Sequence, residues 1–353
     1  MKSVDVIVPY FYPPYIGGTE TVLRKWKQYF KDTDGDLKVR FIQPFAYRDS
    51  QLLSDKDGLR IRPFNNKLMK YIGLINLAAD LIFTKSDMVI VLSPKYIRLS
   101  YKIRRIFHKK YRITNWIHFS LTKMFVNNDK YFRLADYHLA ISTGIKQQLL
   151  DMGISDEKIN TVFNPTDSNC YQIKASKVPK YIYVGRLEYQ HQKNLQELIH
   201  AFCLVRKKFP DATLELWGNG LKKDTDQIKT LVKQLQLDEA VLFKGWYKTP
   251  WKEIDSATAF VLTSTYEGLP MSILEAMSHG IPVISSSIST GPEDEITREN
   301  GMLYHLGDIE ELKNKMLEVY QKDYSQEKIT QSINRFYSEN YFANLVRMLQ
   351  EMG

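Results

Sequence analysis

Cysteine is almost missing from this 353-residue chain, where Cys170 and Cys203 are the only two. That excludes a disulfide framework and a cysteine-built metal site, and a reducing cytoplasm is the expected compartment. No apolar run is long enough for a membrane span. The longest, residues 71–83, contains Asn76 and Asp80 and falls short of the roughly 20 residues that a crossing helix needs. It is expected to be a helix lying on a sheet. The first residues lack signal-peptide character, because Asp5 interrupts an apolar run that is already brief. Acidic residues are absent between Asp87 and Asp129, where nine Lys and Arg accumulate. No zinc finger or RNP-type aromatic motif accompanies them, so nucleic acid is not an expected partner.

What is present describes a globular protein of two domains: 44% hydrophobic and 25% charged residues, over a length that suits two ordinary cores. The net charge of +9 is unevenly placed. Residues 1–165 hold 27 Lys and Arg against 15 Asp and Glu, while residues 166–353 hold 22 against 25. In the acid-free stretch, Leu99, Ile103, Ile106 and Phe107 recur at helical spacing among Arg104, Arg105, Lys109 and Lys110. A basic amphipathic helix of this kind suits an anionic membrane surface or an acidic acceptor, or is a solvated face whose apolar side packs on its own domain.

Apolar strands and amphipathic stretches alternate along the chain, which predicts parallel, doubly wound sheets. The first half reads as strands at 4–8, 38–42, 88–92, 112–117 and 138–141, with helices at 19–30, 67–83, about 123–134 and 144–152. Periodicity lapses from Asn164-Pro165 to Pro179, as in a linker. It restarts with strands at 181–184, 213–217, 241–243, 259–263 and 281–285, and helices at 194–208 and 222–235. A final helical stretch, 326–352, has no strand after it.

One segment carries chemistry most clearly. Glu267-Gly-Leu-Pro-Met-Ser-Ile-Leu-Glu275 sets two glutamates with seven residues between them, between strands at 259–263 and 281–285. Pro270 suits the start of a helix and Gly280 its end. Ser272, Glu275 and His279 fall on one face of that helix, opposite Ile273, Leu274 and Met277. Glu267 would then lie over a strand's carboxyl end, where open α/β sheets bind ligands. The amides of Leu269, Met271 and Ser272 would head a helix, which suits phosphate, and Glu275 could accept from a vicinal diol. A nucleoside diphosphate offers both groups. Two glutamates on a surface helix are commonplace; the Gly-Leu-Pro between strand and helix sets this pair apart.

Arg186 and Lys193 bracket a strand–loop–helix junction and suit a diphosphate. Gly17 and Gly18 end the first strand's loop, where a backbone can approach a ligand closely. His118 ends the strand Arg112-Ile-Thr-Asn-Trp-Ile. Asp32-x-Asp34-x-Asp36 and Asp55-x-Asp57 have metal-triplet spacing, but sit beside glycine in polar, turn-like surroundings. No catalytic metal is expected.

The Glu267–Glu275 segment resembles the donor-site signature of the large retaining glycosyltransferase family with the two-Rossmann-domain GT-B fold. Trp116-Ile-His-Phe-Ser-Leu121, Ala135-Asp-Tyr-His-Leu-Ala-Ile-Ser142, Gly245-Trp246 and Ser289-Thr-Gly-Pro292 are similar to bacterial lipopolysaccharide-core galactosyltransferases within it. The resemblance implies that Glu267 faces the donor sugar, that Glu275 binds ribose, and that Arg186 and Lys193 neutralise the leaving diphosphate. It implies that His118 lies near the donor sugar, that Gly17 and Gly18 form the glycine loop, and that Tyr247 marks the base contact.

The implied domains are residues 1–165 for the acceptor and 166–325 for the nucleotide sugar, facing across a cleft, with a helix at about 326–353 packed back on the first. The implied activity is metal-independent, retaining transfer of a hexose, galactose, from a UDP-sugar to a bacterial surface glycan at the inner face of the membrane, with Arg104, Arg105, Lys109 and Lys110 at the membrane or acceptor. UDP-glucose or UDP-N-acetylglucosamine as donor, a silent glycan-binding partner, and an anionic-lipid binding module remain alternatives.

Overall fold

Runs such as Met88-Val-Ile-Val and Ala259-Phe-Val-Leu are apolar at every position, a pattern that suits strands covered on both faces, and both are buried throughout. The computed structural model describes residues 2–8, 17–32, 37–43, 67–124, 129–169 and 171–352. Two compact units emerge: Met1–Pro165 with Tyr341–Gly353, and Thr166–Asn340.

The first unit runs β1 (Lys2–Ile7), α1 (Gly18–Asp32), β2 (Leu37–Ile42), α2 (Lys67–Phe83), β3 (Met88–Val91), α3 (Pro94–Ile106), β4 (Arg112–Ile117), α4 (Leu121–Met124), α5 (Asp129–Phe132), β5 (Tyr137–Ala140), α6 (Thr143–Asp151) and β6 (Ile159–Thr161). Its strands are all parallel, in the order β2-β1-β3-β4-β5-β6. The steps β2 to β3 and β3 to β4 travel the same way across the sheet. Right-handed crossovers therefore put α2 and α3 on one side and α1 on the other.

The second unit begins with β7 (Lys174–Ala175) and β8 (Lys180–Val184), followed by α7 (Leu195–Lys208), β9 (Thr213–Trp217), α8 (Lys222–Gln234) and β10 (Val241–Gly245). It continues through β11 (Ser256–Ala257), β12 (Ala259–Leu262), α9 (Met271–Ser278), β13 (Val283–Ser287), α10 (Pro292–Glu295), β14 (Gly301–His305), α11 (Ile309–Gln321) and α12 (Gln326–Ser332). The main sheet is again parallel, ordered β10-β9-β8-β12-β13-β14, and β7 pairs with β11 beside it. Strand order reverses between β8 and β12.

Several expectations need correction. The stretch read as one helix at about 123–134 overlaps the end of α4 and holds α5, with residues 125–128 outside those described. The strand read at 281–285 is displaced to β13, and β6, β14 and α11 were not anticipated. The final helical stretch is also divided: α12 gives way to a 3-10 turn at Asn334–Phe336, and α13 (Ser338–Glu351) follows. The linker causes the break. Thr166 donates its amide to Phe336 O at 2.8 Å and accepts from Ser338 N at 2.9 Å, taking backbone groups that a continuous helix would pair internally. Residues from Tyr341 onward group with the first unit, whereas 326–340 group with the second.

In the first unit α13 closes an aromatic core. The indole of Trp26 in α1 stacks on Trp116 of β4 at 3.9 Å between centroids, and its Nε1 donates to the Tyr341 hydroxyl at 2.8 Å. Tyr29 and Phe342 stack alongside at 4.1 Å. Tyr341→Phe would leave a buried N–H without its acceptor, a loss of about 1–3 kcal/mol. Denaturant unfolding followed by tryptophan fluorescence should show an earlier transition for this unit; an unmoved midpoint would mean that the bond contributes nothing.

Candidate active site

The reversal between β8 and β12 creates a crevice beyond their carboxyl ends, the place where doubly wound sheets bind ligands. Both charge-bearing loops of the second unit start there: Gly185–Asn194 after β8, and Thr263–Pro270 after β12. They are stitched together by side chains from the β12 loop. The Thr263 hydroxyl lies 3.0 and 3.1 Å from the carbonyls of Lys193 and Asn194, and Thr265 donates its amide to Gln192 O and its hydroxyl to His191 O, each at 2.8 Å. The glycine turn after β9 supports the same loop from the far side. Gly218 has φ +139°, and a Cβ there would sit 1.9 Å from Gly185 O, so no other residue fits without moving the Arg186 loop.

Lys193 Nζ pairs with Glu267 Oε1 at 2.6 Å, with both side chains largely buried. Gln192 Nε2 lies 3.3 Å from Glu267 Oε2 and donates to Tyr266 O at 3.1 Å. Arg186 is 60% exposed at its side chain, available to an incoming anion, and Glu188 holds it at 3.0 Å. The other Glu188 oxygen accepts the Lys193 amide at 3.1 Å, so one carboxylate ties the Arg186 side chain to the Lys193 backbone. Thr290 donates its hydroxyl to Glu267 O, and Gly291, at φ +100°, presses against Gly268–Pro270. Near this turn the Glu295 carboxyl is wholly buried, and neither oxygen has a hydrogen-bond partner among the described residues. Burial, with Asp294 and Glu267 nearby, pushes it well above the usual carboxylate range.

Pro270 stands just before α9 in extended conformation, so the amides of Met271 and Ser272 head the helix. Leu269 and Met271 are buried, while Ser272 and Glu275 are half-buried. Glu275 Oε2 accepts from Trp251 Nε1 at 3.0 Å. His279 lies on the Glu275 side of α9 but is not open: it caps the end of the helix and its ring is buried against Trp251. Tyr247 packs edge-on against Trp217 at 5.4 Å, beyond β9 and β10 and apart from the Glu267–Lys193 cluster.

In the first unit His118 is buried, tilted against Trp116 at 4.4 Å, with no partner for Nε2 among the described residues. Burial pushes its imidazole down to about 3. Gly17 is exposed and accepts from Thr21, and Gly18 opens α1; the preceding Tyr15 and Ile16 lie outside the described residues. So do Asp34, Asp36, Asp55, Asp57 and Cys170. The four cations assigned to membrane or acceptor divide. Arg104 pairs with Asp136, which also accepts the Ile113 amide, so it clasps α3 to the sheet. Arg105 and Lys110 are exposed and Lys109 is half-exposed. The apolar stripe divides too: Ile103 is buried, whereas Ile106 and Phe107 face solvent.

Residues 172–336 match the family described as Glycosyl transferases group 1. The lipopolysaccharide 1,6-galactosyltransferase of Salmonella typhimurium strain LT2 is 31% identical over 346 residues, covering 93% of each chain. The chain belongs to the group 1 glycosyl transferases. Its fold is GT-B: the apo structure of the lipopolysaccharide outer core galactosyltransferase WaaB superposes with a TM-score of 0.85 at 29% identity, covering 99% of both chains. Anabaena Alr3699/HepE, solved in complex with UDP, shares the fold with a TM-score of 0.79 at 19% identity, over 99% of this chain and 100% of its own.

Of the site residues expected in this glycosyltransferase, the structure brings Arg186, Lys193 and Glu267 into one hydrogen-bonded cluster. Glu275, Ser272 and the α9 amides lie on the helix that follows. Glu188, Gln192, Thr290 and Trp251 complete the surroundings and were not singled out. Glu188 and Gln192, both between Arg186 and Lys193, were near enough in sequence to suggest themselves.

Because His118 stays neutral when folded but takes a proton near 6.5 when unfolded, the unfolded chain binds more protons between about 3 and 6.5. Stability from this residue is complete above 6.5 and declines on acidification by up to about 1.4 kcal/mol per pH unit. His118→Gln removes that penalty. Denaturation of this enzyme and the variant at pH 7 and pH 5 should show the variant losing less; equal losses would mean that His118 is not held neutral.

Proposed function

We propose that this glycosyltransferase moves galactose from UDP-galactose to a bacterial surface-glycan acceptor, with retention of configuration and without a metal ion. The arrangement that carries the reading is the meeting of Arg186, Lys193 and Glu267 at the β8–β12 reversal, with the α9 amides and Glu275 next along the chain. It supplies two cations and helix-end amides for a diphosphate, a carboxylate for a sugar hydroxyl and a second for ribose. The names of the lipopolysaccharide galactosyltransferase relatives favour galactose, and UDP in the Alr3699/HepE crystal favours the nucleotide. Relatives with one fold can take different sugars, so UDP-glucose and UDP-N-acetylglucosamine are the donors to compare.

In this reading the donor diphosphate draws Lys193 away from Glu267, and the freed carboxylate turns to the sugar. The acceptor hydroxyl attacks the anomeric carbon on the face that UDP leaves. The carbon–oxygen bond to the diphosphate breaks, and the acceptor proton passes to a leaving phosphate oxygen. Arg186, Lys193 and the amides of Met271 and Ser272 stabilise charge as it grows on that phosphate.

Calorimetric titration with uridine and UDP separates these roles. Glu275→Ala should weaken both ligands, by roughly 1.5–3 kcal/mol for a lost charge-assisted bond. Arg186→Ala should weaken UDP and leave uridine nearly unchanged. Transfer from UDP-galactose should persist in excess EDTA and exceed that from the other two donors. Equal loss of uridine affinity in the Arg186 variant, or activity that collapses until a divalent metal is restored, overturns the reading.

The acceptor side is proposed to lie at an anionic membrane. Among the described residues no helix is long and apolar enough to cross a bilayer. However, α2 leaves Tyr71, Ile75 and Phe83 exposed at 66%, 66% and 80%, and α3 lies on the same side of the sheet with Arg98, Lys102 and Arg105 outward. Apolar side chains beside a basic helix match the interior and headgroups of an anionic leaflet, where each cation contributes about 1 kcal/mol and salt screens it. Reversing Arg105, Lys109 and Lys110 to glutamate, with Arg104 left in place, should abolish sedimentation with phosphatidylglycerol vesicles at low salt and preserve UDP binding. Native protein that stays in the supernatant defeats the membrane assignment.

A further inference from the structure

Trp251 sits on a 3-10 turn, Pro250–Lys252, and its side chain reaches α9 at two points. Glu275 and His279 are four residues apart, so their side chains stack along one edge of that helix. The indole spans both. Its N–H donates to Glu275 Oε2 at 3.0 Å, while its face lies on the His279 ring at 5.6 Å and 29°. Neither neighbour leaves the indole free to turn. Phe260 of β12 flanks it at 6.1 Å. Beyond His279 lies the Tyr171 ring at 4.6 Å, and His279 Nδ1 meets Tyr171 O at 3.2 Å. Burial lowers the imidazole below its ordinary value, which keeps it neutral and apolar enough to serve as a stacking partner.

We propose that Trp251 is a positioning residue, whose indole N–H fixes the direction in which Glu275 receives the vicinal diol of the donor ribose. The proposal rests on the reading of Glu275 as the ribose-binding carboxylate. A carboxylate on a helix has rotamers to choose among, and a bidentate partner such as a diol requires one of them. A donor held rigidly against Oε2 selects that rotamer and stabilises the charged form. The Glu275 side chain is thereby set before the nucleotide arrives, which reduces the ordering that binding would otherwise demand.

Trp251→Phe keeps a ring over His279 and removes only the N–H. Its effect is read by calorimetry with UDP and 2′,3′-dideoxy-UDP, which lacks the diol. UDP should bind about fivefold more weakly, dideoxy-UDP should be unchanged, and the UDP-galactose KM should rise while kcat holds. In a double-mutant cycle the same substitution made on Glu275→Ala should cost nothing further, because the carboxylate that it orients is gone. Equal weakening of both nucleotides, or an undiminished effect on Glu275→Ala, would reduce Trp251 to a packing residue and overturn the proposal. If Glu275→Ala itself fails to discriminate UDP from dideoxy-UDP, the ribose assignment falls instead, and the two failures are thus distinct. Should Trp251→Phe not fold, the indole N–H resonance displaced by Glu275→Ala in the otherwise native protein must shift with UDP and stay still with dideoxy-UDP; an unresponsive resonance rejects the proposal.

Discussion

The ion pair between Lys193 and Glu267 occupies the one place in the second unit where neighbouring strands send their chains in opposite directions. Its two members belong to different βα units, so their meeting depends on the strand order of the whole sheet. Taking two charges out of water is costly, and a close contact offsets that cost only with further hydrogen bonds around it. Gln192 supplies one to Glu267, and the hydroxyls of Thr263, Thr265 and Thr290 hold the backbones on either side. Glu188 ties the Arg186 side chain to the Lys193 backbone. Much of the hydrogen bonding around the site therefore serves to hold this pair in place.

How much of this could be read from the chain depended on whether a feature is local. The alternation of apolar strands with amphipathic helices is a local pattern, and both doubly wound sheets follow from it. The meeting of Arg186, Lys193 and Glu267 was legible because all three lie in the loops that follow two strands, and Glu275 follows on the next helix. Trp251 was not legible, because its indole reaches a helix more than twenty residues later, and nothing in Pro250-Trp251 announces that. The division of the final helix was hidden for the same reason: Thr166, more than 160 residues upstream, takes the backbone groups that interrupt it. Arg104 shows the converse. Composition groups it with Arg105, Lys109 and Lys110, and only the fold reveals that Asp136 already holds it.

The two units also differ in the surroundings they give to ionisable side chains. In the first, His118 and His138 are enclosed among apolar neighbours and are held uncharged, at about 3 and about 4. In the second, burial lowers one imidazole, His279, but also encloses an acid, Glu295, and pushes it toward its protonated form. Each choice leaves an uncharged side chain in a dry interior, but the proton count is opposite.

The consequence concerns the direction from which each half is vulnerable. Unfolding the first unit in mild acid takes up protons at its histidines. Unfolding the second above the ordinary carboxylate range releases a proton from Glu295 for as long as burial keeps that carboxyl protonated. Through these groups, falling pH weighs on the half that begins the chain, and a pH above the ordinary carboxylate range weighs on the half that carries Lys193 and Glu267. No single pH relieves both groups, because His118 is unburdened only above about 6.5 and Glu295 only below the ordinary carboxylate range.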